Sequence, residues 1–364
     1  MTIKEITTIL EELAPLGQAE DFDNVGLLIG EMEADVSGIL VTLDTLENVV
    51  DEAISKKCNL IVSFHPIIFG GLKKLTGATY VERVVIKAIQ NNIAIYSIHT
   101  ALDNSQFGVN AKICEVLELK NTKILIPQKG TIKKLTTYIP ESEADGIKNK
   151  LFEAGAGSIG NYSDCSFSND GVGSYKANDQ AKPVKGKIGE RHYEKETQIH
   201  ITYPKSREKQ VLNALFEYHP YEEVAYETFT LENTNQNIGM GMIGEFEKPM
   251  DEVECLKYIK VKMHAECVRH SKLCNKPVKK IAVLGGSGAF AISAAKSAGA
   301  DIFVSADIKY HQFYEAEDKM VIADIGHFET EQFTKNLLVD YLTKKIPNFA
   351  IRLSDSKTNP IKYL

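Results

Sequence analysis

The sequence predicts an α/β fold in which a smaller α+β domain is inserted into a larger α/β core. Short apolar segments alternate with helical patterns over residues 1–126, and the same alternation returns over residues 233–364. Residues 127–232 change instead to a β-α-β-β-α-β order, which is the ferredoxin-like arrangement. We therefore predict a discontinuous core, 1–126 with 233–364, and an inserted ferredoxin-like domain, 127–232.

The first flank begins with a helix and continues as alternating strands and helices. Thr2 and Glu5 have the spacing of a capping box, and apolar residues follow at helical spacing. Strands are predicted at 39–43, 59–63 and 93–97, and helices at 46–56 and 80–91. Because these strands are apolar along their whole length, we expect a mainly parallel sheet that is covered on both faces.

The middle segment and the second flank complete the predicted elements. In the middle, strands at 134–138, 198–202 and 223–229 accompany helices at 143–154 and 208–217, with a stretch rich in Gly, Ser and Asn at 155–174. In the second flank, strands at 281–284, 302–305 and 320–323 alternate with helices at 289–297, 310–316 and 331–344. We expect the two flanks to form one α/β unit with a single sheet.

Composition is that of an ordinary globular protein with two or more domains. The chain has 364 residues, of which 25% are charged and 43% are hydrophobic, and its formal net charge is −7. No basic cluster supports nucleic-acid binding, and no stretch approaches 18 apolar residues. The six cysteines are scattered and the N-terminus lacks a signal-peptide pattern, so we expect a cytoplasmic protein with free thiols.

Histidine and carboxylate residues follow three of the predicted strands. His65 follows the strand at 59–63, His99 and Asp103 follow the strand at 93–97, and His327 and Glu331 follow the strand at 320–323. The ends of neighbouring parallel strands meet at one edge of a sheet, so these side chains are expected to lie together. Imidazole and carboxylate ligands suit Zn²⁺, Mn²⁺ or Fe²⁺. Two such ions, about 3.5–4 Å apart and bridged by a carboxylate, would form a hydrolytic centre.

Other interpretations of these residues stay open on the pattern alone. His327 and Glu331 are four residues apart, which places them on one helical face, but a surface ion pair has the same spacing. Asp44, Asp307 and His311 also lie at predicted strand ends, where each is a candidate general acid or base. His311 is the first of these to test, although a structural histidine explains it equally well.

A glycine-rich turn follows the strand at 281–284. Its sequence, Gly285-Gly286-Ser287-Gly288, opens a predicted helix, as phosphate-binding turns do. Asp307 lies about twenty residues further on, where a dinucleotide fold places its ribose ligand, but the G-x-G-x-x-G spacing is not met. The sequence argues against NAD or FAD and leaves open a structural turn or a contact with a small phosphate or nucleotide.

Taken together, these motifs resemble the Nif-three family, whose members are often labelled GTP cyclohydrolase I type 2 homologs. The resemblance extends over nearly the whole chain. It rests on residues 23–27, His65-Pro66, residues 99–103, residues 285–288, residues 307–311, Gly326-His327 with Glu331, and residues 359–361.

The resemblance implies two similar α/β lobes that enclose a dinuclear metal site, assembled into a toroidal homohexamer. The implied ligands are His65, Asp103, His327 and Glu331, with Glu331 as the bridge. Many relatives have His-His-Pro where this chain has Phe64-His65-Pro66, so one ligand of the second ion is absent here. The resemblance therefore leaves open whether one ion or two bind. Water or His99 would complete the coordination of a second ion.

The inserted segment resembles CutA and PII-type trimeric regulators. Residues 157–167 and 219–223 carry that similarity.

The motifs and the resemblance together predict a divalent-metal-binding, hydrolase-like protein. Metal-activated water would act on a small phosphorylated or nucleotide-like substrate. The alternative is a non-catalytic, metal-binding or regulatory hexamer whose inserted domain senses a ligand. In either case, the expected partners are further copies of the chain and a small molecule, with no membrane and no nucleic acid.

Overall fold

The computed structural model describes all 364 residues, which form two compact units. The first unit comprises residues 1–127 and 236–364, and the second comprises residues 128–235. All six cysteines are free thiols. None of the helices combines the length and the apolar character that crossing a membrane requires.

The secondary structure consists of strands, α-helices and short 3₁₀ helices. The strands are β1 Gly26–Ile29, β2 Ile39–Thr42, β3 Leu60–Ser63, β4 Ala94–Ser97, β5 Lys120–Gln128, β6 Ile132–Pro140, β7 Phe167–Lys176, β8 Arg191–Pro204, β9 Tyr226–Thr230, β10 Asn235–Met250, β11 Arg269–His270, β12 Val278–Ser287, β13 Ile302–Ala306, β14 Val321–Asp324 and β15 Ile351–Leu353. The α-helices are α1 Ile3–Leu13, α2 Glu47–Ser55, α3 Tyr80–Gln90, α4 His99–Asp103, α5 Val109–Val116, α6 Ala144–Glu153, α7 Glu208–Tyr218, α8 Glu252–Lys262, α9 Ile292–Ser297, α10 His327–Glu331 and α11 Thr334–Lys345. The 3₁₀ helices are Leu16–Gln18, Glu141–Glu143, Lys205–Arg207, Ala289–Ala291 and Tyr310–Ala316.

The first unit contains two sheets, so the prediction of a single sheet was wrong. The five-stranded sheet has the order β1-β4-β3-β2-β15, and the six-stranded sheet has the order β11-β14-β13-β12-β10-β5. The central strands β2, β3 and β4 are parallel, as are β12, β13 and β14. An apolar strand pattern predicts burial on both faces but does not specify which strand is the partner.

The two sheets share one hydrophobic core. Along β3, Leu60 and Val62 face this shared core, whereas Ile61 packs on the opposite side of its sheet. In the same way, Val304 of β13 faces the shared core and Phe303 faces the other side of its own sheet. Both sheets are therefore buried on both faces, which explains their continuous apolar strands.

Several helix predictions need correction at their boundaries. The expected helix at 331–344 is two helices, α10 and α11, with a break at 332–333. The segments 289–297 and 310–316 contain 3₁₀ turns, and the second ends at Glu317 in the left-handed conformation, with φ 51°. The capping box at Thr2 and Glu5 is confirmed, since each residue's side chain accepts a hydrogen bond from the other's backbone N–H.

The second unit has the element order β6-α6-β7-β8-α7-β9 and a sheet with the order β7-β8-β6-β9. Each pair of neighbouring strands is antiparallel. Strand β7 begins inside the Gly, Ser and Asn-rich stretch, which is therefore only partly loop. Leu135, Ile199 and Tyr203 belong to the core of this unit, together with Leu151 of α6 and Leu215 of α7.

Candidate metal centre

The ends of β3, β4 and β14 supply the side chains of the candidate site. His65 lies two residues after β3, and its backbone N–H donates to Leu43 O at 2.9 Å. Helix α4 begins at His99 just after β4 and ends at Asp103. Helix α10 begins at His327 just after β14 and ends at Glu331, which places these two side chains on one face of a single helical turn.

His65, His327 and Glu331 come together although they belong to different sheets. Glu331 Oε2 lies 3.1 Å from His65 Nε2 and 3.2 Å from His327 Nε2. One potential ligand atom from each of the three residues lies within 4.8 Å of the others. The carboxyl ends of strands from two sheets thus converge on one point, and not along the single sheet edge that the strand pattern predicted.

The Nδ1 atoms of three histidines, His65, His99 and His327, each lie within hydrogen-bonding distance of a carboxylate. The Nδ1 atom of His65 lies 2.8 Å from Asp44 Oδ1, and the Nδ1 atom of His327 lies 2.7 Å from Asp307 Oδ2. A hydrogen bond at Nδ1 selects the tautomer whose Nε2 is free to act as a ligand. These pairs therefore orient two imidazoles toward Glu331.

His99 has the same arrangement with a residue that sequence reasoning did not assign to the site. Its Nδ1 atom lies 2.8 Å from Asp23 Oδ1, and Asp23 Oδ2 also accepts the backbone N–H of Thr100 at 3.0 Å. Burial opposes ionisation of Asp23, but the bonds from His99 and Thr100 outweigh it and lower the pKa of Asp23 to about 2. Asp23 lies in a loop far from His99 in the chain. The only sequence signal for Asp23 was therefore its position in residues 23–27, one of the motifs that resemble the family.

Phe64 and His99 lie beside the cluster. The Phe64 ring is fully buried, and its centroid lies 4.9 Å from that of His65 and 5.4 Å from that of His99. The His65 and His99 centroids are 5.3 Å apart. An apolar ring thus packs against both histidines at position 64.

The charges within the cluster are strongly coupled. Burial disfavours the charged imidazole of His65, but Asp44 and Glu331 outweigh it and raise the pKa of His65 to about 10. For His327, burial is likewise outweighed, first by Glu331 and then by Asp307, and the pKa rises to about 9. Burial raises the pKa of Glu331, but the two histidines outweigh this effect and lower the pKa to about 2. Carboxylates thus dominate the surroundings of both imidazoles.

The pKa of Asp103 is shifted in the opposite direction to that of Glu331. Burial of the carboxyl group, reinforced by the negative charge of Glu331, raises the pKa of Asp103 well above its usual range. Its Oδ1 atom is buried and has no hydrogen-bond partner. A nearby cation is what would allow this carboxyl group to ionise.

The glycine-rich turn packs against the cluster as a structural element. The amide of Gly285 donates to Asn110 Oδ1 at 3.0 Å, and the amide of Gly286 donates to Thr330 Oγ1 at 2.9 Å. These two amides are therefore engaged within the protein and do not cradle a phosphate. A Cβ atom at Gly286, where φ is 68°, would lie 2.4 Å from Glu331 Oε1 and 3.2 Å from His327 Nε2. Only glycine leaves room for both side chains here.

Asp307 and His311, the predicted acid or base residues, occupy different surroundings. Asp307 contacts His327, with its own backbone in the left-handed conformation at φ 56°. His311 is exposed, and its ring packs against those of Tyr310 and Tyr314, with centroids 5.1 and 6.3 Å away. The structure therefore brings Asp307 to the cluster as a partner of His327 and leaves His311 among the tyrosines.

The donor set fits a divalent cation. Glu331 Oε2 lies at hydrogen-bonding distance from two ring nitrogens, yet it is buried with no aligned donor, and Asp103 Oδ1 has no partner. Buried carboxylate oxygens without a partner are unfavourable, and a coordinated cation would satisfy Glu331 Oε2. Asp103 is not among the three residues whose potential ligand atoms lie within 4.8 Å of one another. Imidazole nitrogen and carboxylate oxygen are the ligands that Zn²⁺, Mn²⁺ and Fe²⁺ share.

The fold and this cluster define a class of α/β proteins in which two sheets bring histidines and carboxylates together at their strand ends. A family model for Duf34/NIF3 (NGG1p interacting factor 3) matches residues 1–360. The chain belongs to this family, as its motifs predicted.

Full-length relatives and solved structures agree with that assignment. The chain is 36% identical to a Bacillus subtilis (strain 168) protein named GTP cyclohydrolase 1 type 2 homolog, over 99% of this chain and 98% of that one. A crystal structure of a Bacillus cereus protein related to NIF3 is similar with a TM-score of 0.85 and 34% identity, over 100% of this chain and 99% of that one. The crystal structure of the Staphylococcus aureus protein SA1388 is similar with a TM-score of 0.79 and 30% identity, over 100% of this chain and 99% of that one.

Proposed function

We propose that this protein binds one or two divalent cations, of which Zn²⁺, Mn²⁺ and Fe²⁺ fit best, through His65, Asp103, His327 and Glu331. One observation carries the proposal: the buried oxygens Asp103 Oδ1 and Glu331 Oε2 have no hydrogen-bond partner beside two imidazoles whose Nδ1 atoms are already engaged. An excess of carboxylates around these imidazoles gives the site the charge that a cation requires.

We further propose that the site performs hydrolysis on a small phosphorylated or nucleotide-like substrate. A bound divalent ion would lower the pKa of a coordinated water to near neutrality. Asp44 and Asp307 hold the two imidazoles in orientation, and Glu331 lies between them. The name of the relatives suggests GTP as the first compound to test, and His311 stays the predicted general acid or base.

Metal analysis of purified protein, loaded separately with Zn²⁺, Mn²⁺ or Fe²⁺, tests the site. His327→Ala and Glu331→Ala are each expected to lower the bound metal at least about tenfold, because each removes a ligand. His270→Ala and Glu315→Ala are matched controls at exposed positions and should bind as the wild type does. Unchanged metal content in both site variants would contradict the assignment.

Measurement of substrate turnover distinguishes the proposed hydrolase from a non-catalytic, regulatory protein. Fully metallated protein is assayed against GTP, other nucleotides, phosphoesters and cyclic amides. Hydrolysis that disappears in Glu331→Ala and falls in His311→Ala without loss of metal would support the proposed chemistry. Metal binding without turnover on any of these would support the non-catalytic, regulatory alternative.

Two further proposals rest on the family resemblance. The first is a homohexamer in the cytoplasm, with a mass in light scattering of six times the 40.4 kDa chain. The second is that residues 128–235 form a CutA-like domain, which the strand order β7-β8-β6-β9 supports.

A further inference from the structure

A cavity of about 340 Å³ lies within the second unit, far in sequence from every residue of the candidate metal centre. The residues that line it include Tyr138, Tyr175, Tyr221 and Glu196, together with the segment 181–184 and Glu222, Glu223 and Ala225. Its volume is that of a small-molecule site, and such sites combine aromatic walls with a few placed polar groups.

The three tyrosine rings are held in place by their hydroxyl groups. Tyr175 donates to Lys185 O at 2.8 Å, Tyr221 donates to Glu196 Oε1 at 2.8 Å, and Tyr138 accepts from Gln198 Nε2 at 3.1 Å. The rings of Tyr175 and Tyr221 lie edge to face, with centroids 6.1 Å apart. The aromatic walls are thus ordered by hydrogen bonds before any ligand binds, which reduces the entropic cost of binding.

His219 fixes the segment that carries Tyr221. It is buried, its Nε2 atom lies 3.1 Å from Tyr138 O, and its Nδ1 atom accepts the backbone N–H of Tyr221 at 3.1 Å. These two contacts require a neutral imidazole protonated on Nε2. The side chain of His219 therefore anchors the backbone of both Tyr138 and Tyr221.

The charged groups of the cavity favour a cation. Three carboxylate residues line it, Glu196, Glu222 and Glu223, against one lysine, Lys182. A Cβ atom at Gly173 on the neighbouring strand would lie 2.0 Å from Glu196 Oε2, so the glycine provides the space that this carboxylate occupies. The Tyr221 hydroxyl engages only one oxygen of Glu196, and Oε2 keeps its capacity to accept.

We propose that this cavity binds a small organic cation whose ammonium group contacts Glu196 and the faces of the tyrosine rings. Aromatic faces attract a cation through their quadrupole, and they do so most strongly where water is excluded. Glu196 supplies the compensating charge, and the apolar walls accept alkyl groups on the nitrogen. This site is separate from the proposed metal function and does not depend on it.

Calorimetric titration of the full-length protein with choline, benzyltrimethylammonium and agmatine tests the proposal. The neutral isostere of choline, 3,3-dimethylbutan-1-ol, isolates the charge. We expect at least one cation to bind, and choline to bind at least about tenfold more tightly than its isostere, corresponding to the loss of one charge-assisted contact. Equal binding of choline and its isostere, or no binding of any of the three cations below about 10 mM, would overturn the proposal.

Variants locate the binding site. Glu196→Gln keeps the shape of the side chain and is expected to weaken cation binding at least about tenfold, and Tyr175→Leu is expected to weaken it by removing an aromatic face. Glu227→Gln, on the exposed part of β9, removes the same charge from the same unit outside the cavity and should leave binding unchanged. Equal affinity in Glu196→Gln and Glu227→Gln would show that the cation binds elsewhere.

Discussion

The packing of the candidate centre depends directly on the absence of a side chain at Gly286. The Gly286→Ala variant would place a methyl group 2.4 Å from Glu331 Oε1 at a backbone φ of 68°. We expect at least about a tenfold loss of metal affinity, because a displacement of Glu331 disturbs a shared ligand. Competition with a chelator measures the affinity.

The control separates steric conflict from backbone strain. Gly299 has a similar φ of 74°, but a Cβ atom there meets nothing within 4 Å. Gly299→Ala therefore carries only the cost of the left-handed conformation, about 1–2 kcal/mol of stability, and should keep its metal. Wild-type affinity in Gly286→Ala would mean that Glu331 is not a ligand or moves without cost.

Asp307 tests whether the outer carboxylates contribute to binding. Asp307→Asn keeps a residue that tolerates φ 56° but removes the charge that faces His327 Nδ1. We expect metal affinity to fall about 10-fold to 100-fold, the usual effect of losing a partner of a ligating histidine. Asp318→Asn, at an exposed position with φ 53°, is the matched control. If both variants bind equally, Asp307 does not position the ligand.

At the scale of elements, Glu52 of α2 holds the chain that follows β15. Its carboxylate accepts the backbone N–H groups of Asp355 and Ser356 at 2.8 and 3.1 Å and the Ser354 hydroxyl at 2.7 Å, and it pairs with Lys56 at 2.6 Å. Burial opposes ionisation, but these bonds outweigh it and lower the pKa of Glu52 from 4.5 to about 2. A carboxylate whose pKa is lower in the folded protein stabilises the fold only while it is ionised.

The sign of the pH dependence follows from this lowered pKa. The contribution of Glu52 is fully present above pH 4.5 and is lost as the pH falls toward about 2. At pH 7, Glu52→Gln is expected to lower the free energy of unfolding by about 1.5–3 kcal/mol. Urea unfolding at pH 7 and at lower pH should show the difference from wild type shrinking with acidity. Glu47→Gln, whose carboxylate forms an exposed pair with Arg83, should change stability by less than about 0.5 kcal/mol.

The elements that position the candidate ligands were predictable because their patterns are local. The apolar run of β3 and the spacing of four between His327 and Glu331 are visible in a short window of sequence. Strand β10 was not predicted, since its glycines are poor strand formers. At Gly239, a Cβ atom would lie 2.1 Å from Ile126 O, so the glycine is needed for a close approach to β5 that no local pattern reveals.

At the scale of the whole molecule, the association of strands into two sheets could not be read from the alternation of strands and helices, and only the family resemblance implied two lobes. Both flanks have the same alternation of strand and helix, and periodicity does not specify the partner of a strand. Strand β15 pairs with β2, so the five-stranded sheet combines strands that are far apart in the sequence. Asp23 and His99 are another pairing of this kind, separated by 76 positions.

The inserted segment offers a test that separates the two proposed sites. Gly239 approaches Ile126 and Gly244 approaches Lys120, so β10 and β5 run antiparallel as neighbours in their sheet. An Asn-Gly turn in place of residues 129–235 would therefore join them as a hairpin. All four proposed metal ligands lie outside the removed segment.

We expect this deletion variant to bind metal with the stoichiometry of the full chain and to lose its affinity for organic cations, because the tyrosine-lined cavity is removed completely. Metal analysis and calorimetric titration on the same preparation measure both, and circular dichroism confirms that the variant is folded. If a folded variant loses its metal, the centre depends on the insertion and the division of roles is wrong. If it retains cation binding, the ligand does not occupy the cavity beside Glu196.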